Sequence, residues 1–434
     1  MSIELLVRDV RVRDDATGRT TAVDLHVDRG RISDVVPHAD EAVEARTVIE
    51  GGGAWATAPY VEPHVHLDAA LTAGQPRWNR SGTLWEGIAC WSERKPMLTR
   101  EDVVERAEQT LRWYAANGTL HVRSHVDVTD PSLVALDALL EVRDRVRDVI
   151  NLQLVAFPQE GICSFLGGEE LITEAARRGV DVIGAIPHYE DTREDGVRSV
   201  ELAIDLADRH GLRVDAHCDE IDDEQSRFVE VLATRAARTG LRDRVTASHT
   251  TAMGSYNPAY GYKLHRILAR SGIHMVSNPM VSLHLQGRFD DYPKRRGLTQ
   301  VKELLAAGIN VAFGHDDVMD PWYPLGTANP LQVAHVGTHA AQMMSRDEIA
   351  ETFRMVTSRA AAVLGLGDEE YGVRVGAAAS FVLLPATDGY DAVRRQVRPT
   401  RVVARGRVVA TTQPAVTMLR WPGEDPAEVT FTPR

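Results

Sequence analysis

Val61-Glu62-Pro63-His64-Val65-His66-Leu67-Asp68 closes an apolar run that begins at Pro59, and the fold is read outward from it. Side chains in a strand alternate between faces, so a spacing of two puts the His64 and His66 imidazoles on one side. Two neutral imidazoles side by side form a metal chelate. A lone His-x-His is weak evidence, so the other strand ends decide its meaning. Apolar, β-branched runs recur at 59–66, 120–128, 150–157, 180–186, 212–217, 245–249, 274–278 and 310–315, with amphipathic helical patterns between them. Thr99-Arg100-Glu101-Asp102 is a capping-box start; Val103, Val104, Ala107, Leu111 and Ala115 form an apolar stripe that stops at Asn117-Gly118. Asp130-Pro131 starts a second helix with Leu139 and Leu140 inward, and Val301, Leu304 and Leu305 mark a third.

About eight strand–helix units in roughly 310 residues predict a (β/α)₈ TIM-type barrel. A doubly wound open sheet is the alternative, but no Gly-x-Gly-x-x-Gly follows a strand. Gly51-Gly52-Gly53 lacks that spacing and reads as a turn. The two chain ends share a different texture. Residues 3–50 alternate apolar and polar positions, and Phe381–Leu384, Arg401–Ala404 and Gly406-Arg407-Val408-Val409 repeat the pattern. A small β-sandwich domain is therefore expected from both ends (1–58 and 373–434), with the barrel (59–372) inserted between them.

In a barrel the C-terminal strand ends share one face, where active sites sit. His217 ends the fifth candidate strand, His249 the sixth, and His315-Asp316-Asp317 the eighth. Hydrogen-bonded structural histidines are the alternative, but that reading leaves their equivalent positions unexplained. His64, His66, His217 and Asp316 offer three nitrogens and a carboxylate without a thiolate, which suits one divalent ion, Fe²⁺ or Zn²⁺. The fourth strand ends Ile186-Pro187-His188, with no lysine to bridge a second ion. Glu220, three residues after His217, is placed to face a metal-activated water and shuttle protons. Asp317 follows a ligand and would turn toward a leaving group. Cys218 alternates away from His217 and packs. Whether His125 or His188 touches a substrate stays open. His335 and His339 lie four apart on a helical pattern, yet Val336 stands where a zincin motif needs glutamate, so the pair reads as structural. No Pro-Cys-x-x-Cys is present, which excludes the zinc deaminases built on that motif.

The net charge of −13, from 49 basic and 62 acidic residues, gives no electrostatic footprint for nucleic acid or an anionic membrane. The one basic run, Lys294-Arg295-Arg296, reads as a solvated loop. Three scattered cysteines without a Cys-x-x-Cys pair fit a reducing compartment. With no apolar leader and no long span, a cytoplasmic protein is expected.

Longer segments resemble the amidohydrolase superfamily and, within it, the bacterial cytosine deaminases. They are residues 61–68, Thr72-Ala73-Gly74-Gln75-Pro76, Ala156-Phe157-Pro158-Gln159-Glu160-Gly161 and His217-Cys218-Asp219-Glu220 with its continuation to Phe228. Ala247-Ser248-His249-Thr250-Thr251-Ala252-Met253, His284-Leu285-Gln286-Gly287-Arg288-Phe289, Gly314-His315-Asp316-Asp317 and Asp320-Pro321-Trp322-Tyr323-Pro324-Leu325-Gly326 complete the match. The resemblance implies hydrolytic deamination of a free pyrimidine base, cytosine first, by a homo-oligomer with one Fe²⁺ or Zn²⁺. Gln159 would bind the ring's amide edge, and Glu220 would protonate the ring nitrogen. His249 would orient the attacking hydroxide, Asp317 would hold it and pass its proton to the amine, and Phe157 and Trp322 would wall the pocket. Cys163-Ser164-Phe165-Leu166-Gly167-Gly168 and Met319 depart from that pattern. A flexible Met319 where an aromatic is usual would reshape the pocket. 5-Methylcytosine, isocytosine, isoguanine and creatinine are therefore alternative substrates, and a non-catalytic interaction module is a third reading.

Overall fold

The computed structural model describes residues 3–13, 17–41 and 43–432. β1 (Ile3–Arg13), β2 (Thr20–Asp28), β3 (Arg31–Pro37) and β4 (Ala45–Thr57) come first. The eight apolar runs then form β5 (Tyr60–Val65), β6 (Thr119–Asp127), β7 (Asn151–Phe157), β8 (Val182–Ala185), β9 (Arg213–Cys218), β10 (Val245–His249), β11 (His274–Ser277) and β12 (Val311–Phe313). β13 (Phe381–Leu384), β14 (Arg401–Ala404) and β15 (Arg407–Thr411) follow.

β5 to β12 pair in chain order, each parallel to the next. A parallel bridge between Val65 and Asp316 joins the last strand to the first. There the Asp316 amide donates to the His64 carbonyl at 2.8 Å and the His66 amide to the Asp316 carbonyl at 3.1 Å. This is the expected (β/α)₈ barrel, and it closes through residues of its own C-terminal rim. Every residue of β5 and β6 is buried, because helices cover the outside and side chains fill the inside. Polar residues share that burial: Glu62 and His64 in β5, and His121, Arg123, Ser124, His125 and Asp127 in β6.

Thr99 caps the helix Arg100–Ala116 by accepting from the Asp102 amide. The cap is one-sided: the Asp102 carboxylate is taken by Arg94 and Arg106 instead of reaching back. The second helix begins at Val134, not at Asp130-Pro131. The Asp130 carboxylate accepts from the Ser132 amide in a turn, and Leu133 has a left-handed φ of 53°. The third is the short helix Val301–Ala306. The long connection after β5 carries a further helix, Leu84–Arg94, seated on the rim: the Trp91 indole donates to Asp127 at 2.9 Å and Lys95 pairs with Asp127 at 3.1 Å.

The chain ends form one seven-stranded sheet, ordered β15-β14-β13-β4-β1-β2-β3. It curls so that Arg31 bridges Ala378, just before β13. Val7, Leu25, Ile32, Phe381, Leu383 and Val403 meet in the core this creates, separate from the barrel's. Gly51-Gly52-Gly53 lies inside β4 and is not a turn between elements. Register jumps there from Arg8↔Glu50 to Val10↔Ala54, a bulge opposite Asp9. A Cβ on Gly51 would stand 2.7 Å from the Arg8 and Asp9 carbonyl oxygens, so glycine is required. Among the described residues, no helix is long and apolar enough to cross a membrane.

Candidate active site

β5 carries His64, with His66 just past its end; β9 ends with His217 and Cys218, and β10 with His249; Asp316 and Asp317 follow β12. His249 and Asp316 turn into the barrel mouth on left-handed backbone, φ 68° and 69°. Non-glycine residues held there cost about 1–3 kcal/mol each, which the surrounding structure must offset.

His64, His66, His217 and Asp316 each place a donor atom within 4.8 Å of the others, and all four are buried. The Nε2 atoms of His64 and His66 lie 3.2 and 3.1 Å from Nε2 of His217. Asp316 Oδ1 is 3.2 Å from His64 Nε2 and 3.5 Å from His66 Nε2. Tetrahedral ligands at ~2.0–2.1 Å from an ion stand roughly 3.3–3.4 Å apart, so this donor set fits a divalent cation. Burial pushes His64 down to about 4 and His217 well below the usual imidazole range, the neutral form a metal needs. Burial would raise Asp316, but His249, His64 and His66 hold its carboxyl well below the ordinary value.

His64 is steered from behind. Its Nδ1 lies 3.0 Å from Ser248 Oγ, which donates to Asp215 Oδ1 at 2.7 Å. Asp215 Oδ2 accepts from Arg123 Nη1 at 2.9 Å, and Arg123 is held in turn by Gln153 and the Val363 carbonyl. Two further trios could bring donors together, Glu220-His249-Asp316 and His64-His125-Asp215, and each shares a residue with the first four. In the former, Glu220 pairs with His249 Nδ1 at 3.1 Å; in the latter, Ser248 already occupies His64 Nδ1 and Asp215.

Burial would lower His249, but the Glu220 and Asp316 carboxylates override it and raise its pKa to about 9. Asp317 moves oppositely. Burial, then the nearby Asp320 and Asp316 carboxylates, push it well above the carboxylate range, and burial lifts Asp320 to about 6. Two buried carboxyls this close cannot both ionise, so the pair retains a proton at neutral pH. Asp320 Oδ1 accepts from the Trp322 and Tyr323 amides at 3.0 Å each, fixing the turn that presents Trp322.

His66, His217, Asp316, Gln159, Glu220, His249, Asp317 and Trp322 line one cleft. His64 sits just beneath it, completing the donor set. Leu84, Ile186 and Leu285 also line the cleft; Ile186 follows β8 while Leu84 and Leu285 lie on the helices Leu84–Arg94 and Pro279–Leu285, and as single aliphatic residues they carry no pattern that separates them from core. Phe157 is not a wall: it stacks on the His217 ring at 4.0 Å and backs the ligand. Met319 does not line this cleft; it is 37% exposed on a left-handed turn at φ 54°. The His125 ring lies 3.9 Å from that of His64, and His188 is half-buried with its ring nitrogens enclosed, which lowers its pKa to about 3; neither lines the cleft. His335 and His339 have rings 4.7 Å apart on the helix Pro330–Ala340 and join none of the metal-type clusters found among the described residues. The run Lys294-Arg295-Arg296 is exposed, with Arg295 paired to Asp290.

A family profile described as amidohydrolase family matches residues 47–410. Among solved structures, a 5-methylcytosine deaminase from Klebsiella pneumoniae liganded with 5-fluorocytosine is 49% identical. It superposes with a TM-score of 0.91, covering 96% of this chain and 100% of that one. An N-isopropylammelide isopropylaminohydrolase from Burkholderia multivorans is 28% identical with a TM-score of 0.80, covering 95% and 99% of the two chains. A pterin deaminase from Rhizobium rhizogenes is 28% identical over 397 residues, 90% of this chain and 88% of that protein.

Proposed function

The chain belongs to the amidohydrolase family, and within it we propose a single-metal deaminase of free 5-substituted cytosines, with 5-methylcytosine ahead of cytosine. It is a hydrolase of C–N bonds that deaminates a cyclic base. One observation carries the reading: four metal-type donors converge beside a cleft lined by Gln159, Glu220, His249 and Asp317. The likeness to the Klebsiella enzyme supports the order of substrates.

His64, His66, His217 and Asp316 would hold the ion, Fe²⁺ or Zn²⁺, since three imidazoles and a carboxylate suit both. When bound, such an ion lowers the pKa of its water from ~15.7 to about 7. Gln159 offers a donor and an acceptor to the amide edge of the ring. Glu220 takes one proton from the attacking water and gives it to the ring nitrogen beside the amino-bearing carbon, which makes that carbon electrophilic. His249, paired with Glu220, donates to the oxygen that attacks. The Asp317–Asp320 pair, which holds one proton, takes the second proton from the attacking oxygen and passes one to the departing amine. Water's two protons thus end on the ring nitrogen and on ammonia, and its oxygen on the ring.

The protein is proposed to act in the cytoplasm, in keeping with its three free cysteines, on a small base rather than a nucleic acid, and as a homo-oligomer. Light scattering at the monomer mass would oppose the last point. A non-catalytic module gains no support from a cleft that retains four donors and four candidate acid–base or ring-binding groups.

The test is ammonia release by the metal-loaded protein across 5-methylcytosine, cytosine, isocytosine, isoguanine and creatinine. Highest kcat/KM on 5-methylcytosine is expected. A preference for cytosine would reverse the order, and turnover of none of these rings would remove the reading.

A further inference from the structure

The loop after β7, residues 158–168, contains Gln159 and also the stretch that departs from the cytosine deaminase pattern. One side chain from the next strand–helix connection gathers it. Glu190 is 8% exposed and does not line the cleft. Its Oε1 accepts from the Ile162 amide at 2.7 Å and the Cys163 amide at 3.2 Å. Its Oε2 accepts from the Ser164 amide and the Ser164 hydroxyl, each at 2.8 Å. Ser164 Oγ also accepts from the Asp191 amide at 2.8 Å, returning the tie to Glu190's own segment. Three successive backbone N–H groups thus converge on one carboxylate. Gly161 admits it: φ there is 91°, and a Cβ would stand 2.7 Å from Glu190 Oε2. On the other side of Gln159's neighbour, Glu160 is held by Lys95 and by the Ser92 hydroxyl at 3.1 Å.

We propose that Glu190 is a positioning residue for substrate binding: by clamping residues 162–164 it holds the Gln159 carboxamide at the place in the cleft where the amide edge of the ring docks. The inference rests on the assignment of Gln159 to that edge. A carboxylate is required because every group facing it is a donor. A glutamine would offer one oxygen and turn its own N–H toward backbone N–H, leaving buried donors unpaired. The departure at 163–168 then has a role: Ser164 contributes two of the donors that the clamp uses.

The test uses the full-length, metal-loaded protein with 5-methylcytosine. Glu190→Gln is expected to raise KM about tenfold or more, the scale of losing a charge-assisted hydrogen bond, with a smaller change in kcat and unchanged metal content. Amide hydrogen exchange at 162–164 should accelerate by a similar factor while exchange in β9 and β10 stays slow. In a Gln159→Ala background, Glu190→Gln should add less than about threefold, because groups acting through one another are not additive. Ser164→Ala, which keeps the carboxylate and three amides, should raise KM by roughly two- to threefold and serves if Glu190→Gln does not fold. A full Glu190→Gln effect in the Gln159→Ala background, or a KM unmoved by both Glu190→Gln and Ser164→Ala, overturns the proposal. If Gln159→Ala itself leaves KM unchanged, the assignment of Gln159 fails first and takes the clamp's role with it.

Discussion

Replacing Ser248 with alanine should weaken the metal site without removing a ligand. Asp215 is acceptor-only, so the Ser248 hydroxyl donates to it across 2.7 Å and accepts from His64 Nδ1–H across 3.0 Å. That arrangement places the His64 proton on Nδ1 and leaves Nε2 bare, facing His217 and Asp316. Alanine removes the acceptor in a place with no water access, since His64, Ser248 and Asp215 are all 0% exposed. The imidazole is then free to adopt the other tautomer, with a proton where the cation belongs. Removing such an orienting partner typically costs 10–100-fold in metal affinity, or about 1.4–2.8 kcal/mol. Competition against a chromophoric chelator measures the dissociation constant directly. Thermal melting with excess chelator checks that Arg123 still satisfies Asp215 and the barrel remains folded. A dissociation constant within twofold of wild type would refute the argument that Ser248 sets the tautomer.

Glu220→Gln should keep metal but lose roughly 10²–10⁴-fold in kcat, read by ammonia release beside metal analysis; normal turnover would remove Glu220 as the proton donor. Gly87→Ala places a Cβ 2.3 Å from Trp322 Cδ1, so it should push the indole into the cleft, raise KM and cost about 1–3 kcal/mol in stability, measured by kinetics and melting. Asp391 is held down to about 2, chiefly by hydrogen bonds from Arg395. Its stabilising contribution is therefore present above the unfolded value of about 3.9 and is lost as pH falls toward 2. Asp391→Asn should flatten that part of the melting-temperature profile, and an unchanged profile would exclude the residue. Alanine at both His335 and His339 should leave metal content unchanged.

The barrel was legible because β-branched, largely apolar stretches recur between helical patterns, and several end in a polar residue such as His217 or His249. Period-two spacing gave the shared direction of His64 and His66, and equivalent strand ends gave His217, His249 and Asp316 a place to meet. What escaped depends on backbone direction and distant contacts. Met319 follows Asp316 by three residues, yet a left-handed turn throws it outward. Phe157 ends β7 correctly but lies behind His217. Leu84 reaches the cleft from a helix inserted after β5, which no periodicity links to the site. Gly51-Gly52-Gly53 resembles a turn because a bulge and a turn need the same positive φ.

The most direct test of the account is turnover of 5-methylcytosine in oxygen-18 water by the metal-loaded protein, with product mass and ammonia followed together. Hydrolytic deamination predicts one solvent oxygen on the ring for each ammonia released, and neither signal from the Glu220→Gln protein at matched metal content. Ring product without solvent oxygen, or no product from a fully metal-loaded protein, would contradict it.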